Sequence, residues 1–159
     1  MTETINKVRE FHVAFGQKDP QSPVELFEHN AEDTKALEIT AKQMRLISEN
    51  CMRLAALSKS PIFLRLQLIQ EELSELVEAV LETSQVGVLD ALTDLQYVID
   101  GTYLTFGFNE EIKLLAFDEV HSSNMTKLGE DGKPVLNESG RVQKGPNYRK
   151  PDLVKILER

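Results

Sequence analysis

Two consecutive stretches, about 61–83 and 88–106, carry apolar residues at helical spacing, and acidic residues border both apolar faces. In the first, Ile69, Leu73, Leu76 and Val80 form the apolar arc; in the second, Leu92, Leu95, Val98 and Ile99 form a seam. At about 100° per residue, Glu71, Glu75, Glu78 and Glu82 make one stripe along the first segment. Glu72 falls about 60° from Glu75, on the flank facing the apolar arc. Asp90 and Asp94 are about 40° apart, with Asp94 beside the seam. Antiparallel packing through these faces brings Glu72, Glu75, Asp90 and Asp94 into one pocket. Clustered carboxylates repel and lose hydration, so the pocket needs a cation. An all-oxygen donor set selects a hard ion, Mg²⁺ or Mn²⁺. Glu78 and Glu82, further along, read as a solvated face.

The rest of the chain is punctuated by glycine, proline and capping residues. A rough apolar pattern predicts a helix over 3–15, stopped by Gly16 and followed by a loop through Asp19-Pro20 and Ser22-Pro23. The segment 23–29 leads to a long helix from about Asp33 to Lys59. Pro61 suits the first turn of the next. Gly87 reads as a break, Gly107 as a helix end and Asn109 as the cap of a helix over 110–125. Beyond that the chain loses helical period and holds at most a hairpin, Pro134-Val135-Leu136 with Arg141-Val142-Gln143, around a turn at 137–140. The expected fold is all-α, a bundle of about four to six helices with an irregular C-terminal arm over 126–151. Residues 1–159 read as a single domain.

Composition narrows the function. The net charge of −8 argues against nucleic-acid binding. Yet 127–150 hold six basic residues against three acidic ones. An acidic body with a basic arm suits an anionic ligand that carries a metal, such as a nucleoside triphosphate. No apolar run approaches the roughly 18 residues of a membrane span. Met1-Thr2-Glu3-Thr4 lacks the basic and apolar regions of a signal peptide. The single cysteine, Cys51, lies in helical apolar periodicity and reads as a buried structural thiol in a reducing cytoplasm.

Glu71-Glu72-Leu73-Ser74-Glu75 followed by Asp90-Ala91-Leu92-Thr93-Asp94 resembles the all-α nucleoside triphosphate pyrophosphohydrolases. That superfamily includes MazG, the dimeric dUTPases and phosphoribosyl-ATP pyrophosphohydrolase. Val8-Arg9-Glu10-Phe11-His12, Glu119 through Lys127, Gly132-Lys133-Pro134 and Lys144-Gly145-Pro146-Asn147-Tyr148 look like a MazG-like subgroup. Two departures stand out. Ala91 occupies the place of the usual Glu-x-x-Asp glutamate, with Asp90 one residue earlier, and the stretch from Phe27 to Ser60 is longer than the pattern expects.

The resemblance implies Mg²⁺-dependent cleavage of a (d)NTP between the α and β phosphates, giving a monophosphate and pyrophosphate for nucleotide-pool housekeeping. It implies Glu72, Glu75, Asp90 and Asp94 as ligands of one or two Mg²⁺ ions, and Glu71 as the group that orients or deprotonates the attacking water. Asn124 and Lys127 become phosphate contacts; Lys144, Asn147, Tyr148 and Arg149 become a mobile basic arm folding over the triphosphate. Phe11 and Tyr97 read as core aromatics before base-stacking ones. A four-helix metal-site core completed by oligomerisation makes a homodimer or a dimer of dimers the expected assembly. Two alternatives compete: a phosphoribosyl-ATP pyrophosphohydrolase, and a non-catalytic helical interaction module.

Overall fold

The computed structural model describes residues 2–26, 28–58 and 60–158. Among these the fold is all-α, with six helices: α1 (Thr2–Ala14), α2 (Ala31–Ser58), α3 (Pro61–Leu81), α4 (Gln85–Thr105), α5 (Glu110–Met125) and α6 (Val154–Leu157). The chain divides into two compact units, one of residues 24–108 and one of residues 1–23 with 109–159.

The unit of residues 24–108 is a layer of α2, α3 and α4, with α3 packed against both of the others. Ser60 caps α3, accepting from Ile62 N at 3.3 Å, and Pro61 occupies its first turn as its missing N–H allows. Ser84 caps α4, accepting from Gly87 N at 3.0 Å. Gly87 is therefore not a break; it lies inside α4. A Cβ there would stand 3.0 Å from the Ala79 Cβ, so the glycine permits α3 and α4 to approach closely. Ala79 of α3 and Ala91 and Val98 of α4 are all buried. His29 ties the segment before α2 to α3, its Nε2 2.7 Å from Val80 O. Glu78 is no solvated residue: it is salt-bridged to Arg45 of α2, and that hydrogen bond lowers its pKa. Cys51 on α2 is only half-buried. The expected last residue of α2, Lys59, lies outside the described residues, as does Phe27.

Gly101 offers a sharp stability test. A Cβ on it would meet the Arg65 Nη1 at 2.8 Å, the far end of a flexible side chain, while Arg65 Nε donates to Thr105 Oγ1 at 2.8 Å. Alanine gains about 0.5–1 kcal/mol over glycine inside a helix. We expect Gly101→Ala to leave the melting temperature unchanged or raise it; a fall of several degrees would show that Arg65 cannot move.

In the other unit α1 packs against α5, with Lys7 of α1 salt-bridged to Asp118 of α5. Gly16 ends α1 at a φ of +66° and Asn109 caps α5, accepting from Ile112 N at 2.9 Å. The C-terminal arm carries two isolated antiparallel bridges, Leu128 with Pro134 and Leu136 with Val142, the second bracketing the Asn137 turn expected from sequence. The short α6 has no sequence signal of its own.

Candidate active site

On the α3–α4 hairpin the register can be followed residue by residue. Ala79 meets Gly87, Ile69 and Ile99 line one cavity, and Arg65 reaches Gly101. Carried along the hairpin, this register sets Glu72 opposite Asp94. Glu72 is the residue on which the local field converges. Burial first, then the negative charges of Glu75, Asp94, Glu71 and Asp90, push its carboxyl above the usual range. One oxygen, Oε2, is buried with no hydrogen-bond partner among the described residues. A desolvated carboxylate oxygen facing four like charges is a poor resting arrangement unless a cation joins it.

The remaining donors are more open. Glu75, Asp90 and Asp94 are exposed, and Glu71 is half-buried, where its Oε2 accepts from Gln67 Nε2 at 3.0 Å. Among the described residues, no group of three or more Asp, Glu, His or Cys side chains converges closely enough to hold a metal as it stands. The donor chemistry nonetheless fits Mg²⁺, which keeps several waters and is usually held by one or two carboxylates plus substrate phosphates rather than by a protein cage. Tyr97 is 79% exposed and belongs to no core.

Asn124, Lys127, Lys144, Asn147, Tyr148 and Arg149 all fall in the unit that contains α1 and α5. Here the arm is docked. Ser123 Oγ donates to Arg149 O at 2.7 Å, Arg149 N donates to Thr126 Oγ1 at 3.0 Å, and Gly145 N donates to Lys127 O at 3.1 Å. The Arg149 guanidinium is engaged by Glu119 and by Ser122 Oγ, the latter at 2.8 Å. Lys144 lies over the Tyr148 ring, 4.7 Å from its centroid. Lys127 Nζ and the Asn124 amide have no hydrogen-bond partner among the described residues.

Glu119 is the anchor that sequence reasoning passed over, because its partners come from the arm about thirty residues away. It accepts from Asp152 N at 2.8 Å and from Arg149, with Lys155 Nζ 3.4 Å away. The Asp152 backbone bond first, then Arg149, pull its pKa down to about 2. A carboxylate with a depressed folded pKa contributes stability above its unfolded value, near 4.5, and loses it as pH falls toward about 2. We expect the protection of the 145–152 amides, taken against the intrinsic exchange rate at each pH, to fall over that window. Glu119→Gln is expected to loosen the arm already at neutral pH, with little further change on acidification; identical exchange in both proteins would contradict the anchor.

Comparison with known proteins places these observations. The phosphoribosyl-ATP pyrophosphohydrolase family matches residues 48–124, just under half of the chain. The chain is similar over its length to the crystal structure of a provisionally assigned NTP pyrophosphohydrolase from Exiguobacterium sp. 255-15. The identity is 26%, the TM-score 0.57, and the match covers 98% of this chain and 94% of that one. An uncharacterized protein of Acanthamoeba polyphaga mimivirus, L479, is 35% identical over 81 residues, 51% of this chain but only 29% of that protein. The family match and the solved structure are consistent with the all-α NTP pyrophosphohydrolase superfamily. They support a pyrophosphohydrolase type of function, a hydrolase acting on phosphoric anhydrides, and leave the NTP and phosphoribosyl-ATP substrates equally placed.

Proposed function

We propose that this protein is a Mg²⁺-dependent nucleoside triphosphate pyrophosphohydrolase that splits a (d)NTP between the α and β phosphates. The observation that carries the reading is Glu72, half-buried, its Oε2 buried and unpartnered among the described residues and surrounded by the charges of Glu71, Glu75, Asp90 and Asp94. Glu72, Glu75, Asp90 and Asp94 would hold the ion. When bound, Mg²⁺, or Mn²⁺ in its place, neutralises phosphate charge and makes water a nucleophile near neutral pH. Glu71, steadied by Gln67 through Oε2, keeps Oε1 to accept the proton of the attacking water. The shorter Asp90, where the superfamily pattern has a glutamate one residue later, suits contact through water.

Lys127, with no partner to neutralise it among the described residues, is assigned to the phosphates. Lys144, Asn147 and Tyr148 lie on the docked arm near Gly145, whose N–H is bonded to Lys127 O, while Arg149 serves mainly to fasten that arm. The single cysteine and the nucleotide substrate suit the cytoplasm, and no helix among the described residues is long and apolar enough to cross a membrane.

The apolar surface supports a homodimer, or a dimer of dimers. Leu57 is 83% exposed and Leu104 74%, and among the described residues no large side chain is fully buried. A second copy would cover these faces as a core does.

The test is pyrophosphate release from a panel of NTPs, dNTPs and phosphoribosyl-ATP, with and without Mg²⁺. Metal-dependent release from a (d)NTP supports the reading, and release from phosphoribosyl-ATP alone replaces it with the alternative substrate. No release from any of them, together with no rise in melting temperature on adding Mg²⁺, would leave the non-catalytic module.

A further inference from the structure

A cavity of about 250 Å³ opens between α1 and α5, remote in sequence from the carboxylate motifs. Its walls are Val8 and Phe11 of α1 with Phe117, Val120, His121 and Asn124 of α5. The α5 residues are spaced i, i+3, i+4, i+7, so they share one helix face. That face would be an ordinary core stripe were it apolar throughout. Instead its C-terminal half presents an imidazole and a carboxamide.

The polar and aromatic groups here are arranged for a flat ring. Phe11 is stacked on Phe15 with centroids 4.1 Å apart and an interplanar angle of 23°. Phe15 is only 4% exposed, so Phe11 is held from behind while its side chain borders the cavity. A third ring entering the cavity would extend an existing stack, and aromatic stacking is tolerant of which base supplies the π face. His121 is fixed at the wall by Glu10, with Nε2 3.2 Å from Glu10 Oε2. The Asn124 amide offers one acceptor and two donors, none engaged among the described residues. Paired donor and acceptor atoms are what the polar edge of a nucleobase presents, and asparagine meets such an edge with two hydrogen bonds. Lys127 follows Asn124 by three residues at the end of α5, so a cation lies within about a helical turn of the amide. The volume falls just short of the roughly 300–1,000 Å³ typical of drug-sized ligands, which suits one base rather than a larger group.

We infer that the α1–α5 cavity is the nucleobase subsite, in which Phe11 stacks on the base, Asn124 reads its polar edge and Lys127 meets the attached phosphate. This rests on the nucleotide reading above, and it moves Asn124 from the phosphates, where the sequence motif had put it, to the base. Asn124 is thereby a specificity-determining residue, and the preferred nucleotide is set in this unit and not by the carboxylates.

The experiment titrates the four common nucleoside monophosphates into ¹⁵N-labelled protein without divalent metal, followed by NMR on residues 117–127. Parallel titrations use Asn124→Ala, Val120→Phe and Glu72→Ala. One monophosphate is expected to bind best, to shift the α5 signals, and to bind Glu72→Ala as it does the wild type. Asn124→Ala should weaken it about tenfold, the equivalent of losing a paired amide contact, and flatten the preference among bases. Val120→Phe, which fills the cavity while leaving Asn124 intact, should block it. Equal binding by wild type and both α5 variants, or shifts confined to other residues, would overturn the inference. So would wild-type turnover of a nucleotide whose base preference survives Asn124→Ala. Failure of the hydrolase reading looks different: no nucleotide is cleaved, yet monophosphate binding remains sensitive to Asn124→Ala.

Discussion

Replacing Glu72 with alanine is expected to lower metal-dependent pyrophosphate release by about a thousandfold or more, the scale on which single charge-stabilising groups act in transition states. The same position should behave in the opposite way toward stability. In the metal-free protein the Glu72 carboxylate is desolvated and repelled by four neighbours, and its pKa is raised above 4.5. An acid with a raised folded pKa contributes its stability below the unfolded value and loses it as pH rises through the folded one. Ionised Glu72 therefore weakens the metal-free fold at neutral pH. Glu72→Gln should melt higher than the wild type in chelator and lose the rise that Mg²⁺ gives the wild type. A residue that stabilises the fold by ordinary packing would show neither behaviour. Differential scanning fluorimetry at pH 7, with chelator or with Mg²⁺, reads both effects. A Glu72→Gln protein that melts lower in chelator and still responds to Mg²⁺ would remove Glu72 from the site.

Gly145→Ala is expected to undock the C-terminal arm. A Cβ at this buried glycine would lie 2.3 Å from Leu128 O and 2.8 Å from Lys127 O. Both are backbone atoms that no rotamer change can clear, so the chain must shift and weaken the Gly145 N–H bond to Lys127 O. Overpacking of this kind costs about 1–3 kcal/mol, at times more. At about 3 kcal/mol, arm amides that exchange by local opening would do so about a hundredfold faster. Because Arg149 O and Asp152 N are bonded to α5 and Arg149 N to Thr126 at its C-cap, the Arg149 and Asp152 amides should respond together. Unchanged exchange at 145–152 in Gly145→Ala would mean that the arm is held elsewhere.

Much of this was legible in the sequence, and the failures share a cause. Pro61, Gly107 and Asn109 marked helix ends because each acts within its own turn. Glu72 stood out because helical period alone sets it beside an apolar arc. Gly87 misled because a glycine that lets two helices touch looks, in one dimension, like one that ends a helix; its meaning lies eight residues back, at Ala79. Tyr97 was expected to join the core, but it directly precedes Val98, about 100° round the helix from that buried residue. The arm was read as mobile because its holding bonds pair backbone groups with Ser123, Thr126 and Glu119, and no residue type announces such a pairing. The α1–α5 cavity was hidden for the same reason: Phe11 and Phe117, which both line it, are more than a hundred residues apart in the chain.

One measurement bears most directly on the central claim. ³¹P NMR should follow the wild-type protein with Mg²⁺ and its best nucleotide, beside the same mixture with Glu72→Ala. We predict equal amounts of nucleoside monophosphate and pyrophosphate from the wild type, with no orthophosphate or diphosphate, and an unreacted triphosphate with the variant. Nucleoside diphosphate with orthophosphate, or equal turnover by both proteins, would contradict α–β cleavage at the α3–α4 carboxylates.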